Sequence, residues 1–63
     1  MNRIKEIREQ RGMMQKELAE QAGISRPFLH DLENNHRGAR QETYQRIAEV
    51  LKVSVDDLNV KAG

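Results

Sequence analysis

Apolar side chains recur along the chain at spacings of three and four residues, charged residues fill the intervals, and the few Gly, Pro and Ser residues fall between the periodic stretches. No segment carries a strand signal, so the pattern predicts an all-α chain. Ile4 and Ile7 form a narrow inward stripe closed by Gly12, which predicts a helix over about 2–11. Leu18, Ala19 and Ala22 mark a second helix over 15–22 that stops at Gly23. Ser25 then supplies an N-cap, and Pro27 sits in the first turn of a third helix, 26–34, where its missing N–H costs nothing. Phe28, Leu29 and Leu32 give that helix its inward face, and Asn35 takes the left-handed closing position. After a loop through Arg40, the repeat of Tyr44, Ile47, Ala48 and Leu51 predicts the most regular helix, 41–51. Val53 packs beneath it, and Ser54 with Asp57 reads as a capping box starting a short fifth helix, 55–59. Met13 reads as gap-filling core, and Tyr44 as a core residue with its hydroxyl at the rim.

At 63 residues and 7.3 kDa the chain has room for one domain, 1–63, near the lower size limit for a core without metals or disulfides. With no cysteine there is neither a disulfide framework nor a thiolate site, and two histidines without ligand spacing make no metal centre. No cofactor is expected, and a reducing, cytoplasmic setting is. The first dozen residues carry Arg3, Lys5, Glu6, Arg8, Glu9 and Arg11, unlike a signal peptide, and no apolar run approaches membrane-spanning length. Catalysis is not expected either. Ser25, His30 and Asp31 hold the letters of a triad, but their offsets along one helix point them in different directions, and no chain remains to wall a substrate or ligand pocket.

The net charge of +1 is unevenly placed. Residues 1–16 carry five basic and two acidic side chains (5 − 2 = +3), and residues 47–63 two basic and three acidic (2 − 3 = −1). His36-Arg37-Gly38-Ala39-Arg40 adds a basic loop without an acid. Between these regions, Gln15 to Asn34 reads as two short helices meeting across a tight turn. Ala19 is small where the helices approach, Gly23 permits the turn, Ile24 plugs the angle, and Leu29 and Leu32 pack back onto Leu18. Those are the demands of a helix-turn-helix, which presents its second helix to a major groove.

The chain resembles the Cro and phage-repressor family, the lambda-repressor-like or xenobiotic-response-element type of helix-turn-helix domain, from about Ile4 to Leu58. The carriers are Arg8; Gln15-Lys16-Glu17-Leu18-Ala19; Ala22-Gly23-Ile24-Ser25; Leu32-Glu33-Asn34; Glu42-Thr43 with Ile47-Ala48; and Val53-Ser54-Val55-Asp56-Asp57-Leu58. The resemblance implies a compact five-helix domain that binds operator double-stranded DNA, usually as a two-fold dimer. It implies a bacterial or phage-encoded, nucleoid-associated protein. Gln15 then holds a phosphate and braces the recognition helix, Ser25, Arg26 and Pro27 reach base edges, and His30 and Asp31 lie one turn deeper. Asn34 falls at a backbone-contacting position, and Arg8 with Glu33 at a partly buried structural ion pair. The chain departs from the family at Met14, where Ser or Thr caps the second helix, at Asn35 in place of Gly, and at Gly38-Ala39-Arg40 in place of a proline and a capping Ser.

The chemistry of these positions agrees. The planar fork of Arg26 matches guanine O6 and N7, a pairing that discriminates by about 1–3 kcal/mol. The ring of Pro27 can touch a thymine methyl, and His30 can donate to a guanine or a phosphate. Asp31 either accepts from cytosine N4 and penalises wrong sites or balances Arg26 or Arg37. Lys16, His36, Arg37 and Arg40 are expected on phosphates, adding affinity without reading sequence. A face of Val53, Val55, Leu58 and Val60 is the expected dimer surface, placing two recognition helices about 34 Å apart. The function expected is a dimeric, sequence-specific transcriptional regulator, a repressor on a palindromic operator. The alternative is an antitoxin or protein-interaction module that docks through the fifth helix and the tail from Val60 to Gly63.

Overall fold

A side chain outside the first helix starts it. Asn2 Oδ1 accepts from the Ile4 backbone N–H at 3.0 Å, while Asn2 Nδ2 donates to the Leu32 carbonyl at 2.7 Å and to Asn35 Oδ1 at 2.9 Å. The computed structural model describes residues 2–60, and in it α1 spans Ile4–Gln10 rather than 2–11. The helix is shorter because Asn2 is spent as a cap and because Gly12 turns the chain away at φ +67°. α2 spans Gln15–Ala22 as the pattern predicts, and ends on left-handed Gly23 at φ +72°. In place of a serine cap, Glu17 Oε1 accepts from the Met14 N–H at 3.0 Å, which is the reciprocal half of a capping box.

α3 spans Arg26–Glu33, and Ser25 Oγ accepts from the Phe28 N–H at 3.1 Å. Asn34, expected inside this helix, lies just beyond it, where its Nδ2 donates to the His30 carbonyl at 2.8 Å. Asn35 takes the left-handed conformation at φ +59°. α4 spans Gln41–Leu51 and ends on Lys52 at φ +60°. The fifth helix is a correction: Val55–Leu58 forms a single 3-10 turn. Its capping box is present, with Ser54 N–H to Asp57 Oδ2 at 3.1 Å and Asp57 N–H to Ser54 Oγ at 3.3 Å. The Asp57 N–H reaches back only three residues, to the Ser54 carbonyl at 3.1 Å, and Asn59 at φ +54° ends the turn before an α-helical ring can close. The described residues therefore hold four α-helices, one 3-10 turn and no strand.

α2 packs against both α3 and α4, and the 3-10 turn packs on α4. Ile4, Ile7, Leu18, Ala19, Ala22, Leu29, Leu32, Tyr44, Ile47, Ala48, Leu51 and Leu58 form one buried cluster, with Met13, Ile24 and Val53 half-buried around it. Full burial of each large aliphatic side chain is worth about 1.5–3 kcal/mol, which is what holds helices this short. Two residues differ from the sequence reading. Phe28 is only half-buried, and the Arg37 guanidinium, 4.4 Å from the ring centroid, covers part of the surface that the core leaves open. Leu58, expected on a dimer surface, is 0% exposed inside its own chain. The first and last elements are tied by one backbone and one side-chain bond: the Arg3 N–H donates to the Leu58 carbonyl at 2.8 Å, and Arg11 Nε to the Leu51 carbonyl at 2.9 Å.

Candidate nucleic-acid interface

The site begins with a buried carboxylate. Glu33, at the last turn of α3 and 7% exposed, accepts from Arg8 Nε at 2.7 Å and from Arg8 Nη2 at 3.3 Å. Arg8, 8% exposed, also donates through Nη1 to the Met13 carbonyl at 2.8 Å. A charge pair out of water is tolerable only when its remaining donors and acceptors are used, and here they are. Gln15 Nε2 donates to Glu33 Oε1 at 3.1 Å, and Gln15 Oε1 accepts from Arg26 Nε at 3.4 Å. A continuous polar chain thus runs from α1 through the end of α3 and the start of α2 to the first residue of α3.

The outward side of α3 is solvated. Ser25, Arg26, Pro27 and His30 are exposed, and Asp31 is half-buried. Arg26 is held by Nε alone, and among the described residues its two terminal nitrogens have no partner. Asp31 does not balance Arg26 or Arg37 as one of its two readings expects; its Oδ1 lies 3.8 Å from His36 Nδ1. The residues expected on phosphates divide. Lys16, His36, Arg37 and Arg40 are exposed, with Arg37 stacked on Phe28 and Arg40 Nη1 3.8 Å from Glu42 Oε1. Gln15 and Asn34 are already hydrogen-bonded within the chain, Gln15 at both ends of its amide.

Arg46 is absent from the sequence-derived set, yet it lines an open concavity with Phe28, Arg37 and Arg40. Its only signal in the sequence is its place four residues after Glu42, which any solvated helix face could show. Among the described residues no His, Cys, Asp and Glu cluster has the geometry to hold a metal, and no helix is long and apolar enough to cross a membrane.

The helix-turn-helix family model matches residues 4–58, nearly the whole chain. The chain belongs to the Cro/C1-type helix-turn-helix family. Among its relatives, the HTH-type transcriptional regulator DdrOP3 of Deinococcus deserti is 39% identical over 56 residues, 89% of this chain and 43% of that protein. An uncharacterized HTH-type transcriptional regulator of Mycobacterium tuberculosis is 35% identical over 60 residues, again 43% of its own length. The chain therefore spans less than half of these relatives. Among solved structures, the N-terminal DNA-binding domain of SinR from Bacillus subtilis superposes with a TM-score of 0.83 at 33% identity, covering 94% of this chain and 87% of that one. The master regulator for biofilm formation, SinR, in complex with DNA superposes with a TM-score of 0.85 at 34% identity, covering 92% of this chain and 94% of that one.

Proposed function

We propose that this helix-turn-helix domain is a sequence-specific double-stranded DNA-binding module of a transcriptional regulator, with α3 as the helix that enters the major groove. The observation that carries the reading is the outward face of α3. Arg26 is braced by Gln15 on the buried Arg8–Glu33 pair while its terminal nitrogens have no partner among the described residues. The likeness to a domain solved on DNA supports it. A pre-positioned guanidinium loses less side-chain freedom when it meets guanine, so its two hydrogen bonds go into discrimination. Ser25, Pro27, His30 and Asp31 supply the neighbouring base contacts, and Lys16, Asn34, His36, Arg37 and Arg40 the phosphate contacts.

The regulator acts as a repressor, and two copies meet through Val53, Val55 and Val60, which stay half-buried beside α4. Their two-fold axis matches a palindromic site. Selection from a random duplex pool, with the chain and with Arg26→Ala, tests the reading. The chain enriches a palindromic site, and Arg26→Ala loses preference at one guanine of each half by about 10- to 100-fold. A preference that survives Arg26→Ala overturns the role of that residue, and a pool with no enrichment overturns the function.

A further inference from the structure

Between α3 and α4 lies an open concavity of about 590 Å³ whose charged walls are Arg37, Arg40, Arg46 and Glu42, with Phe28 and Thr43 completing it. Three arginines and one glutamate leave a local charge of 3 − 1 = +2 in a chain whose net charge is only +1. The three cations differ in how they are held. Arg37 lies flat on the Phe28 ring, its Cζ 4.4 Å from the centroid, which fixes its direction without consuming an N–H. Arg40 is drawn to the Glu42 carboxylate at 3.8 Å. Arg46 makes no hydrogen bond or ion pair with any described residue.

We infer that this concavity is a seat for a DNA phosphodiester, centred on Arg46, and that Glu42 is the built-in counter-ion that a strand phosphate displaces. The inference rests on the DNA-binding reading and assigns it two further residues, one attractive and one opposing. A phosphodiester fits because guanidinium groups lining one concavity from a loop and a helix can serve its two unshared oxygens, and because Phe28 in that lining belongs to the same helix as Arg26. Glu42 makes the seat weaker than its arginine count. Every encounter with DNA must break the Arg40–Glu42 approach and bring a carboxylate near a phosphate, so Glu42 holds down sequence-independent affinity more than it affects base choice.

The test is the dependence of log Kd on log salt concentration, measured on the selected duplex and on an unrelated one, for the chain, Arg46→Ala, Arg46→Lys and Glu42→Gln. Arg46→Ala lowers the salt slope by about 0.9, which is a threefold to fourfold smaller change in affinity between 50 and 200 mM salt. Its specificity ratio is unchanged, and Arg46→Lys restores the slope. Glu42→Gln tightens binding to both duplexes by the same several-fold factor. Both residues replaced, Arg46 and Glu42, are exposed, and thermal melting checks that folding is intact. An unaltered slope in Arg46→Ala, while the chain still binds its selected site, overturns the seat and leaves the DNA-binding reading standing. Absence of any DNA binding by the chain takes both down. Perturbation by inorganic pyrophosphate that depends on Arg46, together with an unaltered DNA slope, overturns the assignment to a strand and gives the site to a small anion.

Discussion

Glu33 ties the end of α3 to two other helices, since its two oxygens serve Arg8 on α1 and Gln15 on α2. Removing one member of a buried pair strands a charge, whereas removing both does not. Arg8→Met is therefore expected to lose about 3–5 kcal/mol in urea unfolding, and Arg8→Met combined with Glu33→Leu much less. A 63-residue domain holds on the order of 3–9 kcal/mol in all, so the single replacement brings the chain to the edge of unfolding. Two exposed carboxylates contribute to the acid response. The Ser54 backbone and side-chain hydrogen bonds hold Asp57 below the usual aspartate range, and the hydrogen bond and charge of Arg3 do the same for Glu6. A depressed carboxylate stabilises the fold above its unfolded-state pKa and loses that contribution as pH falls through its folded one. The melting temperature should drop as pH goes below about 4, and the drop should be shallower in Asp57→Asn. The Arg8–Glu33 pair was legible in the sequence because both residues fall on motif positions. The partner of Asp31 was not, since His36 reaches it only through the left-handed turn at Asn35.

Among the elements, α2 and α4 match their predicted limits, and α1 and α3 fall short of theirs. α2 ends at Gly23 as expected. α1 and α3 are shorter than the pattern because Asn2 and Asn34 are spent on capping bonds, which apolar spacing does not reveal. The last element shows the same limit: its capping box was readable, but whether one turn closes as α or 3-10 depends on the left-handed Asn59 behind it. α2 carries the clearest improvable joint. Met14 already has the extended N-cap backbone, φ −79° and ψ 152°, yet its 64% exposed side chain offers no oxygen to the helix. Met14→Ser should raise stability by about 0.5–1 kcal/mol, read as a higher urea midpoint at unchanged m-value.

For the whole molecule, fold class and interior were more legible in the sequence than the surface was. Twelve side chains form the buried cluster, and the periodicity named most of them; Phe28, also read as inward, lies at the edge of the cluster with an arginine from a later loop over its ring. Leu58 shows why burial has to be seen. Its place beside Val53, Val55 and Val60 in the sequence resembles a sticky exterior, while in space it closes the core and its carbonyl receives the Arg3 N–H. Leu58→Ala should cost about 2–5 kcal/mol through the cavity it leaves, monitored by thermal melting. If two copies meet through the proposed valine face, Val55→Asp should turn two-copy complexes on a palindromic duplex into one-copy complexes, counted by sedimentation, and lower the melting temperature somewhat, because Val55 also packs against the core. The side chains that face outward on α3 have a bearing on how such a scaffold diversifies. Arg26, Pro27 and His30 contribute nothing to the interior. Under the proposed reading, exchanging them rewrites what the domain recognises without opening its core, so a duplicated copy can acquire a new address without first having to learn to fold again.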